Sequence, residues 1–420
     1  MRLRRRLASA FPALVDSPTY RRFLLASMIA TVGAFMQQTA QGWLVLVLTN
    51  SPALLGLAGA VAGLPTLFLV VVAGVLADRL DRRRVLMLTN GAVGLCALAL
   101  ALLTTFNVVA YWHVLVLALL SGIALTVQMP TGQAVVSTVV DRRSIGNAVA
   151  LNSAQYNLTR IVAPALAGLF IAAGSLALGF WVNAVALGMV VWLLYTLTIP
   201  SPHAADRAQA ALWLDLQDGV RYVMANRVLA VVVLLPAVPA LLVLNYLTFI
   251  PIYARDILDT GPAGLGLLTG SIGVGALTGA LTLASLRPSG GSGRLMLGGL
   301  GIVGVSLTIF AVSRSLPISM LALASQGAMQ VAYYSTTNTL IQVLAPARLR
   351  GRVLSLYTLT SIGLIPVANL VGGAIGQVVG VDVVLAAGGL LTIAMVLLVA
   401  VLEPGVARLR AAHLSVTAEV

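Results

Sequence analysis

Two groups of side chains in this sequence are equipped to do chemistry, and neither is arranged for covalent catalysis. The first lies in Gly74-Val75-Leu76-Ala77-Asp78-Arg79-Leu80-Asp81-Arg82-Arg83-Arg84, where seven residues from Asp78 onward hold two aspartates and four arginines. Asp78 ends an apolar run long enough to be a helix, and the macrodipole disfavours an acid at a helix C-terminus. It therefore calls for a cationic partner, with Arg82 the nearest and the start of another helix a second source. The second group consists of amides, hydroxyls and one guanidinium inside apolar runs. Gln37 and Gln41 share one helical face, as do Gln326, Gln330 and Tyr334. Gln128, Gln155 and Asn245 stand in other runs, and Arg160 lies in the middle of one. The chemistry available is ion-pair latching in the first group and hydrogen-bonded or electrostatic selection of a ligand in the second.

The elements that must position these groups are membrane spans. Hydrophobic residues make up 60% of the chain and charged residues 9%, against about 25% charged in a soluble domain. A span needs about 20 mainly apolar residues. Twelve such runs occur, near 23–48, 53–77, 85–104, 111–139, 147–173, 176–199, 228–252, 263–286, 294–313, 318–344, 353–378 and 382–402. They are numbered here as spans one to twelve. The expected class is an all-α polytopic membrane protein.

The net charge of +13 would suggest nucleic acid in a soluble chain, but here it follows topology. All 25 basic residues are arginine, and all except Arg160, Arg255 and Arg314 fall in alternate loops or the two tails. The positive-inside rule then puts both termini in the cytoplasm. Cys96 is the single cysteine, so no intrachain disulfide forms. No phosphate-binding loop, metal-spaced His/Cys set or nucleophile with its base occurs. The chain reads as no enzyme, with no cofactor and no metal, and no nucleic acid is expected as a partner.

The organisation expected is a cytoplasmic arm over 1–22, a six-helix bundle over 23–199, a linker over 200–227, a second bundle over 228–402 and a tail over 403–420. Within the linker, Leu212, Leu216, Val220 and Val223 line one face of a short amphipathic helix suited to the inner membrane surface. The halves look like repeats. Arg143, Gly146 and Leu151 recur at one offset as Arg348, Gly351 and Leu356, and Gly168 then falls on Gly373. Six spans either side of one linker favour a pseudo-symmetric six-plus-six arrangement.

With twelve spans, a central linker and the Gly74 loop, the chain resembles the major facilitator superfamily. Gly74, Leu76, Ala77, Asp78, Arg79, Arg82 and Arg83 match its first signature, while Asp81 stands where the family usually has glycine. Ala163-Pro164-Ala165-Leu166-Ala167-Gly168 is similar to the exporters' Gly-Pro-x-x-Gly-Gly signature, with alanines at two glycine positions. Trp43-Leu44-Val45, Asn152-Ser153-Ala154-Gln155, Phe249-Ile250-Pro251 and Arg350-Gly351-Arg352-Val353 resemble the bacterial macrolide-exporter and enterobactin-exporter branch. The resemblance implies alternating access about a central cavity lined by spans one, four, seven and ten. It also implies a cytoplasmic latch in which Asp78 meets loop arginines and the start of span eleven, near Arg350 and Arg352. The second-half counterpart, 279–287, has lost the acid, so that latch would be one-sided.

An arginine at mid-span costs at least about 2.5–3.5 kcal/mol on insertion scales, which is tolerated when it faces a cavity or a partner. Arg160 has no Asp or Glu in the middle third of any span to pair with, so it would give a cavity positive potential. The same lack removes the usual proton carrier. Proton-coupled efflux of an amphipathic small molecule by a monomer in the bilayer is the leading expectation, with protons as a partner implied by the resemblance. Uniport or import of an anionic metabolite against Arg160, and a non-transporting receptor or scaffold, stay open.

Overall fold

A computed structural model of the chain describes residues 12–197, 212–285, 293–346 and 349–409. The side chains of 12, 16, 70–72, 74–75, 77–79, 137, 142 and 212–218 are not described. The N-terminal arginines, Arg207, Arg287, Arg348, Arg410 and the start of the linker therefore lie outside the described residues, as do the side chains of Asp78 and Arg79.

Helix occupies all twelve apolar runs among the described residues. Ten of these helices are long and apolar enough to cross a membrane. The other two, Ile145–Ala172 and Leu316–Leu344, are long enough but carry the polar residues of spans five and ten. Large apolar side chains such as Phe68, Leu88 and Val401 are exposed at the periphery, as lipid-facing positions should be. Backbone polar groups have no partner in hydrocarbon, which is why helix takes every run.

The chain divides into two compact units. One comprises 1–50, 61–207 and 261–266; the other comprises 51–60, 208–260 and 267–420. The first turns of span two thus belong with the second half of the chain, and the first turns of span eight with the first half.

In the first unit, span one (Pro18–Thr49) is fastened at its start. Ser17 caps it, accepting from the Tyr20 N–H at 3.1 Å, and donates to the Val139 carbonyl at 2.7 Å. The Tyr20 hydroxyl, fully buried, donates to the Ala148 carbonyl at 2.8 Å. These bonds tie one helix start to the end of span four (Tyr111–Val139) and the start of span five (Ile145–Ala172). Asn50, left-handed at φ 48°, closes span one by donating to the Leu46 carbonyl.

In the second unit, spans eight (Gly261–Ser285) and ten (Leu316–Leu344) cross backbone to backbone. A Cβ on Gly275 would lie 1.8 Å from the Ala324 carbonyl oxygen, and one on Gly327 would lie 2.2 Å from that of Ile272. Such small-residue crossings replace the hydrophobic driving force that lipid removes.

Two spans are not the continuous helices their hydropathy predicts. Span seven is helical over Arg227–Leu234, Ala237–Leu242 and Tyr246–Ile252, then π-helical over Tyr253–Ile257. Span eleven is helical over Arg350–Thr358, π-helical over Leu359–Gly363, and helical again over Ile365–Val379. Pro236, Pro239, Pro251 and Pro366 withdraw backbone donors along these runs and disturb the preceding turn. The breaks are cross-linked: Thr360, in the π-turn of span eleven, donates to the Val233 carbonyl at 2.8 Å beside the first break of span seven. The linker helix, Leu212–Ala225, ends before Asn226, which caps span seven by accepting from the Leu229 N–H.

Replacing Gly275 with leucine is expected to destabilise the protein by about 1–3 kcal/mol. Gly298, with nothing near its Cβ direction, is the control, and Gly298→Leu should leave the midpoint nearly unchanged. Thermal unfolding in detergent compares the two variants directly.

Candidate gating and substrate residues

The loop after span two (Pro52–Arg79) begins where the sequence places it, since Asp78 falls in the last helical turn. Its side chain and that of Arg79 are outside the described residues, so the expected latch is not observed. The rest of the loop is. Asp81, standing where the resembled signature has glycine, is the N-cap of span three (Arg82–Thr105): its carboxylate accepts from the Arg84 N–H at 2.9 Å. That satisfies one of the free donors at a helix start and places an acid where the dipole favours it.

The two arginines that follow serve helix ends of opposite sign. Arg82 donates to the Ala134 carbonyl at 3.2 Å and to the Thr138 hydroxyl, both in the last turns of span four. Arg83 donates to the Leu194 carbonyl at 3.0 Å and to the Tyr195 carbonyl, and lies over the Tyr195 ring at 5.4 Å. These carbonyls end span six (Leu176–Thr196). Unpaired carbonyls and partial negative charge collect at helix C-termini, so cations are stabilising there. One short loop thereby joins the start of span three to the ends of spans four and six. On the second unit, Arg350 is exposed at the first turn of span eleven, and Arg352 is half-buried with its Cβ against Gly219 of the linker helix.

Pro164 and Gly168 are both buried in span five. A Cβ on Gly168 would lie 2.5 Å from the Pro262 carbonyl oxygen, and one on Gly266 would lie 3.0 Å from that of Pro164. The signature glycine is thus a point of backbone contact with the first turns of span eight.

Of the polar residues expected to line a cavity, those of the first unit are largely bonded to one another. Gln37, buried, accepts from the Asn183 amide at 2.6 Å. Gln128 donates to Asn90 at 3.1 Å, and Asn90 donates in turn to the Leu86 carbonyl. Thr66 and Thr126 share a 3.0 Å bond, and Gln155 donates to Thr159 at 3.3 Å. Gln41 and Arg160 differ. Both are half-buried, and neither has a hydrogen bond or ion pair among the described residues.

The first unit is not fully satisfied, since Gln128 Oε1, Asn152 Oδ1 and Asn183 Oδ1 are buried without a hydrogen bond among the described residues. The largest such group on one helix lies along span ten, where Gln326 Nε2 and Oε1, Gln330 Nε2 and Tyr334 Oη have no hydrogen-bond partner among the described residues, nor does Asn245 Oδ1 in span seven. The Tyr333 and Tyr334 rings meet edge to face at 5.1 Å. Tyr357 in span eleven donates to the Tyr334 carbonyl at 3.4 Å, adding a third phenol. Sequence reasoning did not single out Tyr357. The signal was present, since it is the one aromatic residue between Arg350 and Val379. Among the described residues no three His, Cys, Asp or Glu side chains gather as a metal set.

Residues 8–414 match the family model described as "Transmembrane secretion effector". The chain is 26% identical to an enterobactin exporter, EntS, of Shigella boydii serotype 4 over 394 residues, 93% of each chain. It is 28% identical to the multidrug efflux pump Tap of Mycobacterium tuberculosis over 367 residues, 85% of this chain and 87% of that one. Among solved structures, the nucleoside transporter NupG aligns at TM-score 0.74 with 12% identity, over 90% of this chain and 98% of its own. The peptide transporter POT in complex with sulfate aligns at 0.71 with 13% identity, over 93% and 95%. At such identities these two structures speak for the fold.

The Gln37–Asn183 bond is testable by a double-mutant cycle. Gln37→Leu and Asn183→Leu should each lower stability, and the double variant should be less destabilised than their sum by at least about 0.5 kcal/mol. Additive losses in thermal unfolding would show the two amides to be independent.

Proposed function

The chain belongs to the major facilitator superfamily and is a membrane transporter, and we propose that it exports amphipathic small molecules, driven by the proton gradient. It is a multi-span inner-membrane protein and not an enzyme. The observation that carries the export reading is the set of polar groups without hydrogen-bond partners among the described residues inside apolar spans: Arg160 in the first unit, and Gln326, Gln330 and Tyr334 in the second. A bundle that served only as a scaffold would bond such groups to each other or replace them, because an unsatisfied polar atom in a low-dielectric interior costs about 1–3 kcal/mol. The curated relatives at 26–28% identity are exporters of a siderophore and of drugs, which supports outward transport of comparable cargo.

In this reading Gln41, Arg160, Asn245, Gln326, Gln330 and Tyr334 meet the ligand. Gln37, Gln128 and Gln155, already bonded to neighbours, hold the walls. Asp78 latches the cytoplasmic side with Arg350 or Arg352, both termini face the cytoplasm, and the transporter works as a monomer. The Asp81 cap and the Arg82 and Arg83 contacts keep three helix ends in register while the latch opens.

Uniport or import of an anion is the second reading, favoured by one feature: no Asp or Glu occupies the middle third of any span. A proton carrier is normally such an acid.

Proteoliposomes loaded with candidate cargo, with and without an imposed pH gradient, separate the two. Export predicts efflux that accelerates when protons can flow inward and is strongly slowed by Asp78→Asn in a normally folded protein. Arg160→Ala should slow anionic cargo selectively. Efflux indifferent to the gradient favours uniport, and unimpaired transport by Asp78→Asn removes the latch.

A further inference from the structure

The polar groups of span ten have a chemical character that narrows the cargo. Gln326, Gln330, Tyr333 and Tyr334 follow one another at i, i+4, i+7 and i+8, so they form one stripe along a helix. Gln326 is 1% exposed, Tyr333 1% and Gln330 9%. Four polar atoms of this stripe, the two amide atoms of Gln326 with Gln330 Nε2 and Tyr334 Oη, are buried without a hydrogen-bond partner among the described residues. Gln326 alone offers donors and an acceptor, Gln330 adds a donor, and each phenol offers both. Span ten, Leu316–Leu344, contains no Asp, Glu, Lys or Arg. The stripe therefore presents mixed donors and acceptors with aromatic edges and no formal charge.

We propose that this stripe is the specificity element of the second unit, and that it takes an uncharged segment of the cargo carrying hydroxyl, amide or carbonyl groups next to an aromatic or other apolar surface. The proposal rests on the export reading for its setting, but its content is the chemistry selected. A bare lipophilic cation would leave every one of the four atoms unsatisfied. A free carboxylate would meet donors but no cation within the span. A polar uncharged group answers donors and acceptors together and gains from the tyrosine rings. A site built to hydrogen-bond its ligand rejects analogues that lack those groups more strongly than an apolar pocket rejects an extra methylene.

An atom left unbonded for a ligand is a stability cost in the ligand-free protein, and this separates binding from architecture. If Gln326 held the bundle together, its removal would lower the melting temperature. If it waits for cargo, Gln326→Leu leaves the ligand-free protein at least as stable as wild type while weakening binding.

The test uses purified full-length protein in detergent. Binding of chloramphenicol, an uncharged aromatic amide with two hydroxyls, is titrated alongside tetraphenylphosphonium, an aromatic cation with no hydrogen-bonding group. Wild type should bind chloramphenicol the more tightly. Gln326→Leu should weaken chloramphenicol by about tenfold, change tetraphenylphosphonium by less than about twofold, and keep or raise the ligand-free melting temperature. Tyr334→Phe removes one oxygen only and supplies the same comparison if the leucine variant misfolds. Equal losses for both compounds, a preference for the cation, or failure of wild type to bind chloramphenicol would overturn the assignment. Export measured in proteoliposomes with the cation as cargo would survive each of those results, so failure here is distinguishable from failure of the transport reading.

Discussion

Hydrocarbon supplies no hydrogen bonds, and that single constraint arranges most of what is seen in this chain. Each backbone group must be answered within the protein, so every apolar run becomes helix. Where proline withdraws a donor, the protein repairs the damage locally. Span seven opens beside Pro236, and the Val233 carbonyl is met by Thr360 from a π-turn in span eleven. In the first unit some side chains answer one another, as Gln37 does Asn183 and Gln128 does Asn90, though Gln128 Oε1 and Asn183 Oδ1 stay unbonded among the described residues. Buried atoms that escape the rule are concentrated on span ten. Natural proteins leave buried polar atoms unbonded rarely, and such exceptions ask for a reason.

The loop between spans two and three is governed by helix ends. Asp81 answers the N–H groups that begin span three, and Arg82 and Arg83 answer the carbonyls that end spans four and six. Charges of both signs are thus matched to partial charges of the opposite sign, and the loop acts as a clip inside the first unit. This gives the departure from the family's glycine a physical sense. A carboxylate at that position caps the next helix, which a glycine side chain cannot do.

Much of the fold was legible in the sequence because hydropathy and span length are nearly one-dimensional quantities. The twelve runs, the polar character of spans five and ten, and the helical end at Asp78 all follow from counting residues. The breaks in span seven were less legible. Its run from Leu229 to Ile252 is apolar throughout, and hydropathy is blind to which carbonyls a proline frees. The exchange of residues 51–60 and 261–266 between units had a faint trace in the similar openings of spans two and eight, Ser51-Pro52-Ala53 and Gly261-Pro262-Ala263, but close approach at Gly168 and Gly266 is a three-dimensional fact. Polar residues in spans were easy to find and hard to sort. Gln37 and Gln326 look alike in sequence, and only the presence of Asn183 opposite one of them tells a wall from a ligand contact. Tyr357 was overlooked because its partners lie on another helix.

The central claim is that Gln37 and Gln128 of the first unit are held by bonds to their neighbours, whereas the amides of span ten are reserved for cargo. Nuclear magnetic resonance of protein labelled at glutamine side-chain nitrogen reads both classes in one sample. On addition of chloramphenicol the side-chain signals of Gln326 and Gln330 should shift, while those of Gln37 and Gln128 stay in place. Shifts confined to Gln37 and Gln128, with Gln326 and Gln330 unmoved, would contradict it.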